Sequence, residues 1–296
     1  MARIVYTNGR YVPYAQASVH VEDRGYQLGH AVYEVIEVVA GALVDATRHL
    51  DRLDRPAREV MIPAPMSRAA LLHVVGETLR RNGVTDGSVY IQVSRGAAPR
   101  DFAMPGPEVR PSLVVIARAG DLSAIEARAE AGIAVVTQPD IRWGRCDIKT
   151  VMLLPACLAK EAARGKGARE AWLVDRDGFV TEGASSNAWI VTEAGEVVTR
   201  QLGRDLLPGV TRATLIDVCA LKGLQVKERP FRVSEALSAR EAFITSASQT
   251  VMPVTSIDGH AIGGGKPGPL ARQLRQACRD TAEKVVLSTS HIRPRA

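Results

Sequence analysis

The sequence predicts a mixed α/β protein with two domains, a smaller N-terminal α/β domain and a larger C-terminal domain. With 296 residues, 46% of them apolar, the chain is long enough to form two hydrophobic cores. Strand and helix signals alternate in the first third, whereas hairpins and helices are mixed in the second part. The polar, alanine-rich stretch "DLSAIEARAEAG" lies between them. We therefore expect domains at 1–120 and 132–296, joined by a linker at 121–131.

Four elements of the N-terminal domain have clear local signals. The β-branched run at 32–39 predicts a strand. A helix is predicted between Ser67, a suitable N-cap, and Gly83, which stands just past its end. The segments "GSVYIQVSRG" and "PSLVVIARAG" predict two buried strands, of which the first leads into a loop that contains glycine.

The C-terminal domain has two hairpin signals and two helix signals. Asp177-Gly178 and Gly195 each separate a pair of strand-like segments. A helix is predicted from Pro208-Gly209 to Gly223, and another over "PLARQLRQACRDTAEKVV" near the end of the chain.

Composition argues against several classes of protein. No apolar run approaches the roughly 20 residues that span a bilayer, and the first residues lack the apolar region of a secretory signal. The four cysteines are widely spaced and form no CxxC pair, which favours reduced thiols over disulfides or a zinc site. The net charge of +6 is compatible with nucleic-acid binding, but its scattered distribution favours a solvated surface with a few anion-binding arginines. We expect a cytoplasmic protein with no metal, membrane or nucleic-acid partner.

Lys149 precedes an unusually apolar segment, "TVMLLPACLA". Because burial of an unpaired ammonium group is costly, a lysine in an apolar setting has a lowered pKa and can act as a nucleophile or move protons. On its own, this pattern also fits an ordinary lysine at the start of a helix, beside Asp147.

Three further segments favour a catalytic lysine over an ordinary lysine at the start of a helix. "TEGASSNAWIV" places Glu182 at the end of a hairpin strand, and "LPGVTRATL" places backbone N–H groups at a helix start, where phosphate binds readily. "FITSASQTVMPV" ends a buried strand in a loop with hydroxyl groups. One nucleophilic lysine, one carboxylate and two phosphate-binding loops suit pyridoxal phosphate, which needs a Schiff-base lysine, a partner for its ring nitrogen and a phosphate site.

Over nearly its whole length the chain resembles the class IV (fold type IV) pyridoxal-phosphate aminotransferases, and among them the D-amino acid aminotransferases. The resemblance rests on the segments "EDRGYQLGHAVYEV", "RHLDRL", "YIQVSRGAAPRDF", "DIRWGRCDIKTVMLLPACLAK", "TEGASSNAWIV", "LPGVTR" and "FITSAS". It implies a two-domain fold type IV enzyme whose C-terminal cofactor-binding domain is a pseudo-barrel. It also implies a homodimer.

The resemblance also implies a role for each matching residue. Lys149 is expected to carry the cofactor as a Schiff base and to transfer protons, and Glu182 to pair with the ring nitrogen. The expected contacts of the cofactor phosphate and ring face are Arg52, Val210, Thr211, Ser246, Ala247 and Leu207. The substrate carboxylate is expected to bind to Tyr33 and Arg100, with Phe102 nearby.

The chain departs from the family pattern at four positions. Phe102 stands where the D-amino acid enzymes have a histidine, and His30 where the family often has an acidic residue. Ala247 replaces a threonine of the phosphate loop, and Trp189 replaces a phenylalanine or tyrosine. We therefore expect a carboxylate site that is weaker or differently built.

The reaction expected from the resemblance is ping-pong transamination from a D-amino acid such as D-alanine to a 2-oxo acid such as 2-oxoglutarate or pyruvate. Arg100 favours this substrate because a guanidinium group matches a carboxylate. The alternatives on the same fold are a branched-chain L-amino acid aminotransferase, an (R)-amine transaminase and an aminodeoxychorismate lyase. A non-catalytic binding protein is a further alternative, against which the presence of both Lys149 and Glu182 argues.

Overall fold

Two β-sheets with flanking helices make up residues 3–287, the part of the chain that the structure, a computed structural model, describes. The strands are β1 (Ile4–Thr7), β2 (Arg10–Pro13), β3 (Ala31–Val39), β4 (Ala42–Val44), β5 (Gly87–Ser94), β6 (Ser112–Ala119), β7 (Ile133–Pro139), β8 (Glu170–Val174), β9 (Val180–Gly183), β10 (Asn187–Val191), β11 (Val197–Thr199), β12 (Val226–Glu228), β13 (Glu241–Ser246), β14 (Thr250–Ile257), β15 (His260–Ala261) and β16 (Lys284–Val286). The helices are α1 (Arg24–Leu28), α2 (Ala46–Glu59), α3 (Arg68–Asn82), α4 (Leu122–Ala131), α5 (Leu154–Gly165), α6 (Val210–Leu221), α7 (Val233–Leu237) and α8 (Pro269–Thr281). Within this range, no helix is both long and apolar enough to cross a membrane.

The chain divides into two compact units, each of which draws on separate segments. Among the described residues, the first unit contains 3–121, then Ile148–Val151, and 283–287. The second unit contains Leu122–Asp147 and Met152–Ala282. The segment around Lys149 thus belongs to the first unit, because Val151 N donates to Ala31 O and Thr150 forms a bridge with Val32.

The first unit is built on an antiparallel sheet with the order β16-β4-β3-β5-β6-β1-β2. Helices α2 and α3 share a core with this sheet. The predicted limits of α3 are confirmed, since the Ser67 side chain accepts from Ala70 N and Gly83 takes the left-handed conformation at the C-cap, with φ of 60°. The buried side chains of this core include Ile36, Leu50, Leu53, Leu71, Val75, Leu79, Val89 and Ile91.

The last predicted helix is too long. Helix α8 ends at Thr281, and Lys284–Val286 form strand β16 against β4. Glu283, just before this strand, accepts from Thr47 N and Thr47 Oγ1 at the start of α2, at 2.9 and 2.7 Å. The valine pair favours an extended conformation once the edge strand β4 offers it hydrogen bonds, which the local helix pattern could not indicate.

The second unit contains a mixed sheet with the order β12-β11-β10-β13-β14-β7-β8-β9, and β15 pairs with β14. Neighbours β14, β7 and β8 run parallel, whereas the hairpins β8–β9 and β10–β11 are antiparallel, as predicted. The predicted pseudo-barrel is confirmed as a half-barrel sheet. Asn187, the first residue of β10, pairs with Thr245 near the end of β13, so the loops beside these residues share one edge of the sheet.

The segment predicted as a linker is a helix. Residues 122–131 form α4, and Ile125 and Ala129 pack against the core of the second unit. Alanine, glutamate and arginine are strong helix formers. The polar, alanine-rich composition that suggested a linker therefore fits equally well a helix that packs on the core through Ile125 and Ala129.

A buried ion pair lies on β3 in the first unit. The Glu34 side chain is fully buried and accepts from Arg52 Nε and Nη2 at 2.8 and 2.7 Å, while His49 Nδ1 lies 3.1 Å from it. Burial alone would raise the pKa of Glu34, but Arg52 and His49 outweigh it and hold the pKa well below its ordinary value. Glu34 is therefore ionised across the physiological range.

We predict that Glu34→Gln lowers the free energy of unfolding by about 3 kcal/mol at pH 7, because Arg52 would lose the buried carboxylate to which it donates two hydrogen bonds. Because the folded-state pKa is depressed, the contribution of Glu34 is fully present above its ordinary pKa of about 4.5 and is lost as the pH falls towards the lowered value. Urea unfolding of the cofactor-free protein at pH 7 and at pH 4 measures both effects. A variant as stable as wild type at pH 7, or a gap that widens in acid, would contradict this assignment.

Candidate active site

Lys149 lies beside an aromatic side chain of β3. Its Nζ is 4.3 Å from the centre of the Tyr33 ring, and Tyr33 N donates to Lys149 O at 3.1 Å. The Tyr33 ring stacks on Tyr90 of the neighbouring strand β5, with ring centres 5.6 Å apart. The ammonium group thus meets the face of an aromatic ring, which stabilises a cation, and both backbone and side chain of Lys149 are oriented by Tyr33.

The apolar segment after Lys149 is not buried as expected. Lys149 itself is half-buried, but Met152, Leu153, Leu154 and Leu158 are 38–69% exposed. These four side chains therefore do not provide, within the single chain, the apolar setting that the sequence suggests for Lys149. The Tyr33 ring, by contrast, lies directly against the Lys149 ammonium group.

Three further residues predicted at the phosphate or substrate site belong to the first unit. Arg52 is on α2, and only 10% of its side chain is exposed, since it contacts Glu34. Arg100 and Phe102 are both exposed on the loop between β5 and β6, and the Arg100 guanidinium lies 5.6 Å from the Phe102 ring centre. Arg52 is thus pre-oriented by a buried carboxylate, and Arg100 is open to solvent in the chain.

Glu182, at the end of β9 in the second unit, is buried in a network of donors. Only 4% of the residue is exposed. Arg142 Nη1 contacts Oε1, Asn187 Nδ2 donates to Oε2 at 3.0 Å, and Leu207 N donates to both oxygens at 3.1 Å. Burial raises the pKa of Glu182 to about 7, although Arg142 and the Leu207 N–H oppose that shift.

Arg142 is a residue that sequence reasoning missed. It bridges Glu182 and Asp140, to which it donates from Nε and Nη2 at 2.9 and 2.7 Å, and it also donates to Asp205 O at 2.9 Å. Thr181 Oγ1 donates to Asp140 at 2.8 Å. Arg142 stands in one of the segments that carry the family resemblance, but nothing local distinguishes it from Arg145, which pairs with Asp147.

Leu207 and Asn187 lie next to each other around Glu182. Asn187 Nδ2 donates to Leu207 O as well as to the carboxylate, both at 3.0 Å. Gly209 follows at the N-cap of α6, where an added Cβ would lie 2.1 Å from Asn187 Oδ1. Glycine is therefore required at this position, because the backbone and Asn187 approach too closely for any side chain.

The two predicted phosphate-binding segments lie at the start of α6 and the end of β13. Val210 and Thr211 begin the 12-residue helix α6, so their N–H groups have no acceptor within the helix and lie at the positive end of its dipole. The Ser246 Oγ is buried, yet it has no hydrogen-bond partner among the residues that the structure describes. A buried hydroxyl without a partner usually indicates a missing ligand or water. Ala247 follows Ser246 and is half-buried.

These features fit pyridoxal phosphate. A buried carboxylate suits a protonated pyridine nitrogen, and an uncapped helix start with an unsatisfied hydroxyl suits a phosphate. In the first unit the structure brings Tyr33 and Lys149 together, while Arg100 and Phe102 lie on a separate loop. In the second unit it brings Glu182 and Leu207 together, and Val210 and Thr211 follow at the start of the next helix.

We predict that Arg142→Met raises the pKa of Glu182 above 7, because Arg142 opposes the effect of burial. Arg142→Lys should cause a smaller rise, since the charge remains but the planar group that spans Asp140 and Glu182 is lost. The measurement is a 13C NMR titration of glutamate side chains in the cofactor-free protein, with Glu182→Gln to assign the signal. Arg145→Met is the matched control and should leave the midpoint unchanged. An unaltered midpoint in Arg142→Met would contradict the role of this arginine.

Comparison with known proteins identifies the family. The family described as Amino-transferase class IV matches residues 31–257. The chain is 38% identical to the D-alanine aminotransferase of Staphylococcus haemolyticus over 272 residues, which cover 92% of this chain and 95% of that protein. It is also 38% identical to the D-alanine aminotransferase of Bacillus licheniformis over 274 residues, with 93% and 95% covered.

Solved structures agree with this result. A branched-chain amino acid aminotransferase from T.th., solved with pyridoxamine 5'-phosphate, has a TM-score of 0.85 and 26% identity, with 95% of this chain and 94% of that chain covered. The Escherichia coli branched-chain amino acid aminotransferase has a TM-score of 0.86 at 23% identity, with 95% of each chain covered, and supports the fold alone. The chain therefore belongs to the class IV aminotransferase family and is a pyridoxal-phosphate-dependent transaminase.

Proposed function

We propose that the protein transfers the amino group of a D-amino acid, such as D-alanine, to a 2-oxo acid, such as 2-oxoglutarate or pyruvate. The observation that carries the choice of substrate is the similarity, over nearly the whole chain, to relatives named D-alanine aminotransferase. The branched-chain aminotransferases support the alternative of an L-amino acid donor, but at lower identity. We further propose a ping-pong order, in which the 2-oxo acid product leaves before the second 2-oxo acid binds.

The cofactor is proposed to be held through its ring and through its phosphate. Glu182 would face the ring nitrogen, Leu207 the ring, and Arg52 the phosphate. The N–H groups of Val210 and Thr211, the Ser246 hydroxyl and the Ala247 backbone would complete the phosphate site. The support is the buried carboxylate, the uncapped helix start and the unsatisfied Ser246 hydroxyl.

When bound, pyridoxal phosphate supplies an aldehyde that reacts with amines and a ring that accepts electrons from a carbon losing its proton. Lys149 is proposed to bind the aldehyde and, once displaced by the donor, to take the proton from the donor Cα. Its Nζ is oriented by the Tyr33 ring. Glu182 would keep the ring nitrogen protonated, and Arg142 would in turn keep Glu182 ionised.

Arg100 and Tyr33 are proposed to bind the substrate carboxylate, with Phe102 beside Arg100. The support is the exposed guanidinium on the loop after β5 and its contact with the Phe102 ring. Phe102 can donate no hydrogen bond to a carboxylate. We therefore propose that donors without a carboxylate, such as (R)-amines, are also accepted at a lower rate.

We also propose a homodimer in the cytoplasm. The support for a dimer is the exposed apolar run of Met152, Leu153, Leu154 and Leu158, since large exposed apolar patches mark interaction surfaces. The support for the compartment is the cysteine pattern, because all four cysteines are free thiols.

The attachment of the cofactor is tested by borohydride reduction of the protein reconstituted with pyridoxal phosphate. We expect the phosphopyridoxyl mass on the peptide that contains Lys149, and we expect Lys149→Ala to lose multiple turnover because no amine remains to move the proton. The matched control is Lys166→Ala, an exposed lysine at the end of α5, which should keep both label and activity. Label on another lysine would contradict the assignment.

The substrate is tested by a donor panel of D-alanine, L-leucine and an (R)-amine with pyruvate or 2-oxoglutarate, for wild type and for Arg100→Ala. A charge-assisted contact contributes roughly 1.5–3 kcal/mol, so kcat/KM for D-alanine should fall about ten- to a hundred-fold in the variant while the (R)-amine is hardly affected. Arg110→Ala, an exposed arginine at the end of the same loop, is the matched control. Equal losses for both donors would contradict the role of Arg100.

The wild-type enzyme alone tests the substrate and the reaction type. A wild type that prefers L-leucine would overturn the proposed substrate, and product formation without a 2-oxo acid would indicate a lyase.

A further inference from the structure

The loop that carries Arg100 and Phe102 has little regular structure of its own. It connects β5, which ends at Ser94, to β6, which begins at Ser112. Within it, a single bridge joins Ala97 to Asp23. Around this bridge, Arg24 N donates to Gly96 O at 2.9 Å and Ala98 N donates to Glu22 O at 3.3 Å. The rest of the loop depends on side chains that reach it from outside.

One such side chain is Arg95, at the base of the loop. Arg95 is 5% exposed, and its guanidinium donates to the carbonyls of Pro105, Gly106 and Val109 at 2.8–2.9 Å. Arg95 N in turn donates to His30 O at 3.0 Å. Arg95 thus attaches the second half of the loop to the end of β5 by hydrogen bonds to three main-chain carbonyls of the loop.

The other side chain is Arg24, on α1, which reaches the first half of the loop. Arg24 is 4% exposed, and its Nη1 donates to Asp101 O at 2.7 Å. Asp101 lies between Arg100 and Phe102 in the chain. This hydrogen bond therefore acts on the peptide between Asp101 and Phe102, one residue after the proposed carboxylate-binding residue.

His30 determines how the Arg24 guanidinium is oriented. Its Nε2 lies 2.7 Å from Val60 O, a carbonyl that can only accept, so Nε2 carries the proton and Nδ1 is the acceptor. Arg24 Nε donates to this Nδ1 at 3.3 Å. Burial, opposed by the Val60 hydrogen bond but reinforced by the charges of Arg24 and Arg95, lowers the pKa of His30, which agrees with a neutral ring.

Buried guanidinium groups usually meet carboxylates, whose charge compensates for the loss of water. Arg24 and Arg95 instead donate to main-chain carbonyls of the loop and to a neutral imidazole. Such contacts contribute little charge compensation, but they depend strongly on the position of the peptides that accept them. We interpret both arginines as residues that determine loop geometry.

We propose that Arg24, held in place by His30, is a positioning residue for Arg100 and thereby sets how strongly the enzyme selects a donor with a carboxylate. This inference rests on the proposed function, in which Arg100 binds that carboxylate. His30 stands at a position where the family often has an acidic residue, so this chain orients Arg24 with a neutral acceptor. Selectivity is then a property of the contact between α1 and the loop as well as of Arg100 itself.

The test compares Arg24→Gln and His30→Ala with wild type in the cofactor-bound enzyme, using two independent readouts. Hydrogen exchange should become faster at the amides of residues 97–103 in both variants, because the loop loses the contact at Asp101. The KM for D-alanine should rise about ten-fold, whereas kcat at saturation and kcat/KM for an (R)-amine should stay within about two-fold. His30→Gln retains an acceptor for Arg24 and a donor for Val60 O, and it should restore most of the wild-type behaviour. Arg10→Gln, an exposed arginine on β2, is the matched control for both readouts.

Three outcomes separate the possibilities. Faster exchange with unchanged donor selectivity would overturn the proposal, because the contact would be structural only. Unchanged exchange in both variants would overturn it as well, since the loop would not depend on Arg24. If wild type does not use D-alanine at all, the proposed function fails, and the exchange experiment then shows by itself whether Arg24 and His30 hold the loop.

Discussion

The second unit is organised around one buried carboxylate, Glu182. An ionised carboxylate is costly to bury unless donors surround it. Here the donors come from three separate parts of the chain: Arg142 after β7, Asn187 at the start of β10, and the N–H of Leu207 before α6. The hydrogen bonds to Glu182 therefore hold these three segments in a common arrangement. Because Leu207 lies just before α6, they also fix where that helix begins.

A second buried carboxylate has a comparable role in the first unit. Glu34 on β3 orients Arg52 through two hydrogen bonds, while the adjacent Tyr33 contacts Lys149. A single strand thus positions both the lysine proposed to bind the cofactor and the arginine proposed to bind its phosphate. The two carboxylates differ in their electrostatics, because two basic groups hold the pKa of Glu34 low, whereas burial dominates at Glu182 and raises its pKa to about 7.

Much of the fold could be predicted from local signals. The cap residues Ser67 and Gly83 determine the limits of α3, and Gly178 adopts the positive φ that a hairpin turn requires. These signals act within a few residues of each other and need no knowledge of the tertiary structure. The motif around Lys149 could be identified for a related reason, since its residue types are specified by chemistry rather than by packing.

Other features depend on contacts between distant residues and could not be predicted. Strand β16 forms because β4 offers an edge, although Val285 belongs to a helix-like pattern. The exposure of Leu154 depends on what packs against it, so an apolar run alone could not determine it. Arg142 is one of many arginines, and only the fold shows that it contacts Glu182.

Above all, we expect that Glu182, kept ionised by Arg142, holds the cofactor ring nitrogen in its protonated form. The most direct measurement is the 15N NMR chemical shift of the ring nitrogen in protein reconstituted with 15N-labelled pyridoxal phosphate, for wild type and Glu182→Gln. We expect a protonated nitrogen in wild type that persists to alkaline pH, and a neutral nitrogen in Glu182→Gln at neutral pH. A protonated nitrogen with the same shift in both proteins would contradict this role of Glu182, because another group would then have to supply the negative charge.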